Sequence, residues 1–152
     1  GRWANARMYR WPSQLVLEVT EHAVATDMEE LVARLTELRA TGVRIALDDF
    51  GAGYSSLTRV RELPVDVIKV DRTFVQGVGV DPKDAAITAN VVSLAHALGL
   101  VAIAEGIESA EQLLAMRRLG CDLAQGFVFA RPAPAADIEV LLAGGQPLTE
   151  AA

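Results

Sequence analysis

The sequence predicts an α/β protein assembled from parallel β-α units. Short apolar runs alternate five times with helix-length segments, and that alternation implies a parallel sheet with right-handed crossovers. A hydrophobic share of 51% and a mean hydropathy of +0.26 agree with it, since strands buried on both faces read as continuous apolar stretches. The polar residues of interest also fall late in the apolar runs. In parallel α/β folds the C-terminal strand ends form the active rim, whether the sheet is open or closed into a barrel.

The elements follow in order. Residues 1–14 hold both tryptophans without a clear period and carry no assignment. A strand runs from Leu15 to Val19 and ends in Thr20-Glu21. Thr26 and Glu29 make a capping box for a helix with Leu31, Leu35 and Leu38 on one face, stopped by Gly42. Val43 to Leu47 is the next strand and delivers Asp48 and Asp49; a short helix from Ser55 to about Arg61 follows, and Pro64 closes it. Val67 to Val70 is a third strand. Asp84 is expected to cap a helix reaching Leu98, with Ile87, Val91, Leu94 and Leu98 inward, His96 packed and Gly99 beyond the end. Val101 to Ala104 makes a fourth strand ending at Glu105. Ser109 and Gln112 then box the start of a helix that Gly120 ends. Leu123 to about Gly126 forms a fifth strand, Asp137 to Ala143 a last helix, and residues 144–152 a tail.

Charge and composition exclude several classes. A formal net charge of −6 and a pI near 4.9 argue against DNA as a partner, which needs a basic surface. Residues 86–104 carry no Asp, Glu, Lys or Arg. Asn90, His96 and Gly99 interrupt that run, so a buried helix followed by a strand is expected there instead of a membrane segment. Cys121 is the sole cysteine, which leaves no internal disulfide and suits a reducing compartment. The start at Gly1 points to a piece of something longer.

Asp48-Asp49-Phe50-Gly51-Ala52-Gly53 is the most informative stretch. Neighbouring strand residues point to opposite faces, so both acids can meet one centre only if the backbone turns between them. Gly51 and Gly53 permit such a turn. A helix cap beside a solvated neighbour is the plainer account of two adjacent acids. Five strands each delivering a polar group to one rim favours a site: Glu18, Asp48 with Asp49, Lys69, Glu105 and Gln125. Carboxylates with one lysine and one amide suit a hard cation such as Mg²⁺ or Mn²⁺.

Glu18-Val19-Thr20-Glu21, Asp48 to Leu57, Leu63 to Asp71, Ala104-Glu105-Gly106-Ile107-Glu108 and Gln125-Gly126-Phe127 together resemble the EAL domain from about Leu15 to Leu142. The resemblance implies about five of the eight units of a TIM-like EAL barrel, with residues 15–143 as the C-terminal part of the domain. It implies a bacterial phosphodiesterase that hydrolyses cyclic di-GMP to linear pGpG with a pair of Mg²⁺ or Mn²⁺ ions and is inhibited by Ca²⁺. By position, Glu18, Asp48 and Asp49 resemble metal ligands, Lys69 the water-contacting lysine and Glu105 the general base. Glu21, Glu108 and Gln125 resemble supporting or substrate-side residues. The family also implies a homodimer through the loop and helix after Asp49, and a cytoplasmic place, within a larger sensor protein or alone.

One departure stands out. The Glu-Ala-Leu signature and the asparagine expected ahead of Glu18 are both absent from these 152 residues. A full domain needs about 240 residues, near the usual barrel size. The metal site is therefore expected to be incomplete here, the fragment inactive, and the exposed sheet edges prone to association. The alternative function is a degenerate EAL module that binds cyclic di-GMP or a protein without hydrolysing it.

Overall fold

The computed structural model describes residues 15–20, 28–51 and 57–143. Its elements run β1 (Val16–Thr20), α1 (Met28–Ala40), β2 (Arg44–Phe50), α2 (Leu57–Glu62), β3 (Val67–Val70), α3 (Arg72–Gly77), α4 (Pro82–Ala97), β4 (Val101–Ala104), α5 (Ala110–Arg118), β5 (Leu123–Ala124) and α6 (Ala135–Ala143). Every strand pairing is parallel, in the order β1-β2-β3-β4-β5. Sequential strands joined by helices thus lie side by side, as the alternation of elements predicts.

The alternation of side chains along each strand sorts the sheet into two faces. Ile45, Leu47, Ile68, Val70, Ala102 and Ala104 pack with Leu35, Val75, Val91, Val92, Ala95 and Met116 into the core on the helix side. Ala46, Val67 and Lys69 are buried on the opposite face. Burying a side chain such as Ile68 or Leu47, at 0% and 1% exposure, contributes about 1.5–3 kcal/mol each.

The helices depart from expectation in four places. Asp81, not Asp84, caps α4: its carboxylate accepts from the Lys83 N–H, and Pro82 sits in the first turn where its missing donor costs nothing. Asp84 instead lies against Gly77, where a Cβ would collide with its carboxylate. Thr88, Val91, Val92 and Ala95 face the core, while Ile87 is 38% exposed. So small and apolar a helix offers little contrast between its sides. His96 is exposed and bonded instead of packed, and α3 has no counterpart in the sequence reading. The Ser109–Gln112 capping box is present as expected; Thr26, Glu21, residues 1–14 and the tail lie outside the described residues. No helix among the described residues is long and apolar enough to cross a membrane.

At the strand N-terminal ends, the same brace occurs twice. Asp66, just ahead of β3, gives its N–H to Ile45 O at 2.8 Å and takes the Ile45 N–H on its carboxylate at 2.9 Å. Asp122, just ahead of β5, does the same with Ala102, at 3.1 and 2.8 Å. Each carboxylate also receives a cationic or ring N–H from the end of the helix before the neighbouring strand. Arg39 of α1 reaches Asp66 at 2.6 Å, and His96 Nε2 of α4 donates to Asp122 at 2.9 Å. One acid thereby ties a helix end and two strands.

The Ala102 N–H, helped by His96, holds the Asp122 carboxyl below its ordinary range, although burial acts the other way. A depressed pKa stabilises the fold above the unfolded value of about 3.9, and the gain is lost as pH falls through the folded value. Asp122→Asn is expected to cost about 1 kcal/mol near neutral pH, the figure reduced because the side chain is 41% exposed. Urea titrations of both proteins should show the difference closing as pH drops below about 4.

Candidate active site

Lys69 stands on the face of β3 away from the helices and is 4% exposed. Register sets Glu18 level with Val67 and Ile103 level with Lys69, so the acids are staggered along the strands and their side chains reach the ammonium from both sides. Its Nζ lies 2.6 Å from Glu18 Oε1 of β1, 2.9 Å from Asp48 Oδ1 of β2 and 2.5 Å from Glu105 Oε1, which follows β4. Burial alone would lower the Lys69 pKa. The bonds to Glu105, Glu18 and Asp48 outweigh it and raise the pKa above the ordinary lysine value.

The acid pair lies inside β2 and not beyond its end, as the sequence suggested. The register shifts between Leu47 and Phe50, and both of those residues face the core although they are three apart. Such a bulge breaks the alternation that would have sent Asp49 to the helix side. Asp49 itself has φ of 56°, and it is the one non-glycine residue with positive φ among those described. Left-handed backbone at a non-glycine residue costs about 1–3 kcal/mol and persists where the surroundings over-determine it.

The turn assembles a cluster. Oxygens of Asp48, Asp49 and Glu105 lie within 4.8 Å of one another. Burial, then Asp48 and Asp71, pushes the Asp49 pKa up, and burial does the same to Glu105 against the pull of Lys69. The contact between Lys69 and Asp48 Oδ1 is an ion pair whose angle falls outside hydrogen-bond range, so that buried oxygen has a charge beside it but no directed donor. Glu105 Oε1 takes both Lys69 and the Gln125 amide, at 2.7 Å. Carboxylates so placed, one with an undirected buried oxygen, match the donor set of a hard divalent cation.

The loops that carry Glu105 and Gln125 are interlocked. Gly106 takes φ of 67° immediately after Glu105. Ile107, fully buried, then gives its N–H to Gln125 O at 3.1 Å and accepts from Val128 N at 3.0 Å. Gly126 passes so close that a Cβ there would strike the Ile107 backbone. Beside these loops opens a cavity of about 470 Å³ that touches Glu105, Gln125, Glu108 and Arg72, with the Arg131 guanidinium 4.7 Å above the Phe127 ring. Glu108 is turned away from the acid cluster and pairs with Arg72. Arg72 is a site-edge residue that the sequence reading did not single out. The Asp-Arg pair directly after a buried strand was its one signal.

The EAL domain family model matches residues 2–132, so the chain belongs to the EAL domain family. The chain is 46% identical over 123 residues to the cyclic di-GMP phosphodiesterase RocR of Pseudomonas aeruginosa, covering 81% of this chain and 31% of that protein. A solved structure described as the PaMucR phosphodiesterase in complex with c-di-GMP superposes with a TM-score of 0.81 at 42% identity, covering 88% of this chain and 54% of that one. Klebsiella pneumoniae BlrP1, solved as manganese/cy-diGMP and calcium/cy-diGMP complexes, gives 0.75 and 0.74 at 39% identity, over 80% of this chain and 31% of BlrP1. The chain thus spans about a third of the length of RocR. The five parallel strands are part of the TIM-type EAL barrel.

Removing one partner from a buried ion-pair set leaves the others uncompensated. Lys69→Met is expected to destabilise the protein by about 3–5 kcal/mol at neutral pH. With the lysine gone, Glu105 loses the pull that opposes its burial and takes up a proton more readily. Denaturant titrations should therefore show the deficit shrinking as pH falls toward the carboxylate range.

Proposed function

We propose that the protein containing this chain hydrolyses cyclic di-GMP to linear pGpG, and that it does so with Mg²⁺ or Mn²⁺. The observation that carries the reading is the cluster of Asp48, Asp49 and Glu105 beside a buried lysine, in a chain of the EAL family. Asp48 and Asp49 would hold one cation beside Glu105, and Glu18 with Asp48 a second. Bound divalent ions lower the pKa of water and stabilise charge on a phosphoryl group.

The chain's own residues divide the remaining work. Lys69 fixes Glu18, Asp48 and Glu105 in one orientation. Lys69 and Gln125 occupy one Glu105 oxygen and leave the other to accept a proton from the attacking water. Burial makes that carboxylate a stronger base than an exposed one. The water oxygen joins phosphorus, the P–O bond to the ribose 3′ oxygen breaks, and that oxygen takes a proton from solvent water to depart as a hydroxyl, while Glu105 later returns its own proton to solvent. The neighbouring cavity, with its aromatic ring and guanidinium, offers a stacking surface to a nucleobase.

Glu21 would support the loop after Asp49, and that loop with α2 would form the contact between two copies. We place the protein in the cytoplasm, a reading supported by the unpaired Cys121. The 152-residue chain alone is proposed to be inactive, because the described residues supply five parallel strands where a TIM-type barrel has eight.

Turnover of cyclic di-GMP with Mn²⁺, followed by the appearance of pGpG, tests the reading. The intact protein is expected to be active, and Asp48→Asn to lower its kcat by at least about a thousandfold, in keeping with loss of an electrostatic group at the reacting centre. The isolated 152-residue chain should show no product. Tight binding of cyclic di-GMP by the intact protein without any turnover would overturn the enzyme reading in favour of a receptor. Ca²⁺ is expected to inhibit.

A further inference from the structure

Arg72 opens α3 directly after the strand that carries Lys69, and it reaches across to the loop that carries Glu105. Its Nη2 donates to Glu108 Oε1 at 2.5 Å. The Gln76 amide, turned to suit its neighbours, accepts from Nε at 2.7 Å and from Nη2 at 2.9 Å. These three bonds hold the planar fork in one orientation. The aliphatic stem lies directly over Gly106, where any Cβ would meet its Cγ and Cδ. Gly106 is the residue after Glu105 and sits at φ of 67°.

Glu108, the other end of the strap, is itself fixed. Its N–H donates to Gln112 Oε1 at 2.8 Å, within the capping box that starts α5. Glu105 and Gly106 are therefore held on the strand side by the Glu105 N–H bond to Val70 O and on the other side by the Ile107 backbone pairing to the β5 loop and the Arg72–Glu108 pair. We propose that Arg72 is a positioning residue for Glu105, acting through Gly106 and Glu108 and not through contact with substrate.

The pair itself is half-exposed, at 52% and 41%, so it adds little to global stability. Its effect is geometric. A displacement of about 1 Å in a reacting group can cost up to a hundredfold in rate. A group held by Glu108 and Gln76 also has fewer donors to offer a phosphate than a free arginine would. The inference rests on the phosphodiesterase reading for its kinetic arm only.

The test uses the intact protein and three variants: Arg72→Ala, Glu108→Ala and the double substitution. Each single change is expected to lower kcat about tenfold with KM held within about twofold, as for an interaction that matters only in the transition state. The double variant should lose no more than either single one, because residues acting as one unit are not additive. Arg72→Lys keeps the stem over Gly106 but not the fork, and is expected to fall between. Arg34→Ala, which breaks an exposed pair with Glu30 on α1, should leave turnover unchanged.

Hydrogen exchange at the Ile107 amide supplies an arm that needs no activity. In Arg72→Ala it is expected to speed up about tenfold, while amides of β3 stay protected. A raised KM with unchanged kcat would make Arg72 a substrate contact and overturn the proposal. So would unchanged Ile107 exchange. If the unsubstituted protein forms no pGpG, the phosphodiesterase reading fails, and the exchange experiment alone decides the strap.

Discussion

A single buried ammonium organises the active rim. Lys69 sits where three strands and a loop converge, and without it the part-buried Asp48 and Glu105 would face each other, with the half-exposed Glu18 beside them, and no cation between. Buried like charges of that kind are not tolerated without a counter-charge or proton uptake. The lysine is thus a condition of the fold around this cluster. Because its three partners come from β1, β2 and the end of β4, the register of the whole sheet is tied to this one contact.

The second constraint is the backbone at Asp49. A regular strand could present Asp48 or Asp49 to the cluster, never both. The bulge between Leu47 and Phe50, with Asp49 in the left-handed region, removes that choice at a local energetic cost. Two neutralising arrangements meet here, since Lys69 supports Asp48 from one side and a divalent cation would bring Asp48, Asp49 and Glu105 together from the other.

Much of this was legible in the residues. Val101–Ala104 is a uniform apolar run with a polar residue at its end and Val67–Val70 is one broken only by Lys69, and the strands match both. The need for a turn between Asp48 and Asp49 followed from strand geometry alone, although its position inside β2 did not, because Phe50 is apolar enough to continue the strand. α3 was hidden by its length: six residues give too few turns for a period to show. The start of α4 went astray because Asp81 and Asp84 are both good caps and only Pro82 distinguishes them. The Arg72 strap could not be read, since it depends on a glycine and a glutamate 34 and 36 residues later being folded against one side chain.

The twin braces at Asp66 and Asp122 lie at the opposite ends of the strands from the acids. Each locks a helix end to two strands through one carboxylate, without reference to what the other rim carries. Cohesion and the acid cluster therefore lie at opposite ends of the strands that these two braces join. Such a division lets the reactive rim accumulate change while the sheet keeps its alignment, and it lets the frame be strengthened without disturbing the cluster around Lys69. A sheet assembled this way can change its acidic rim residue by residue while its frame stays intact.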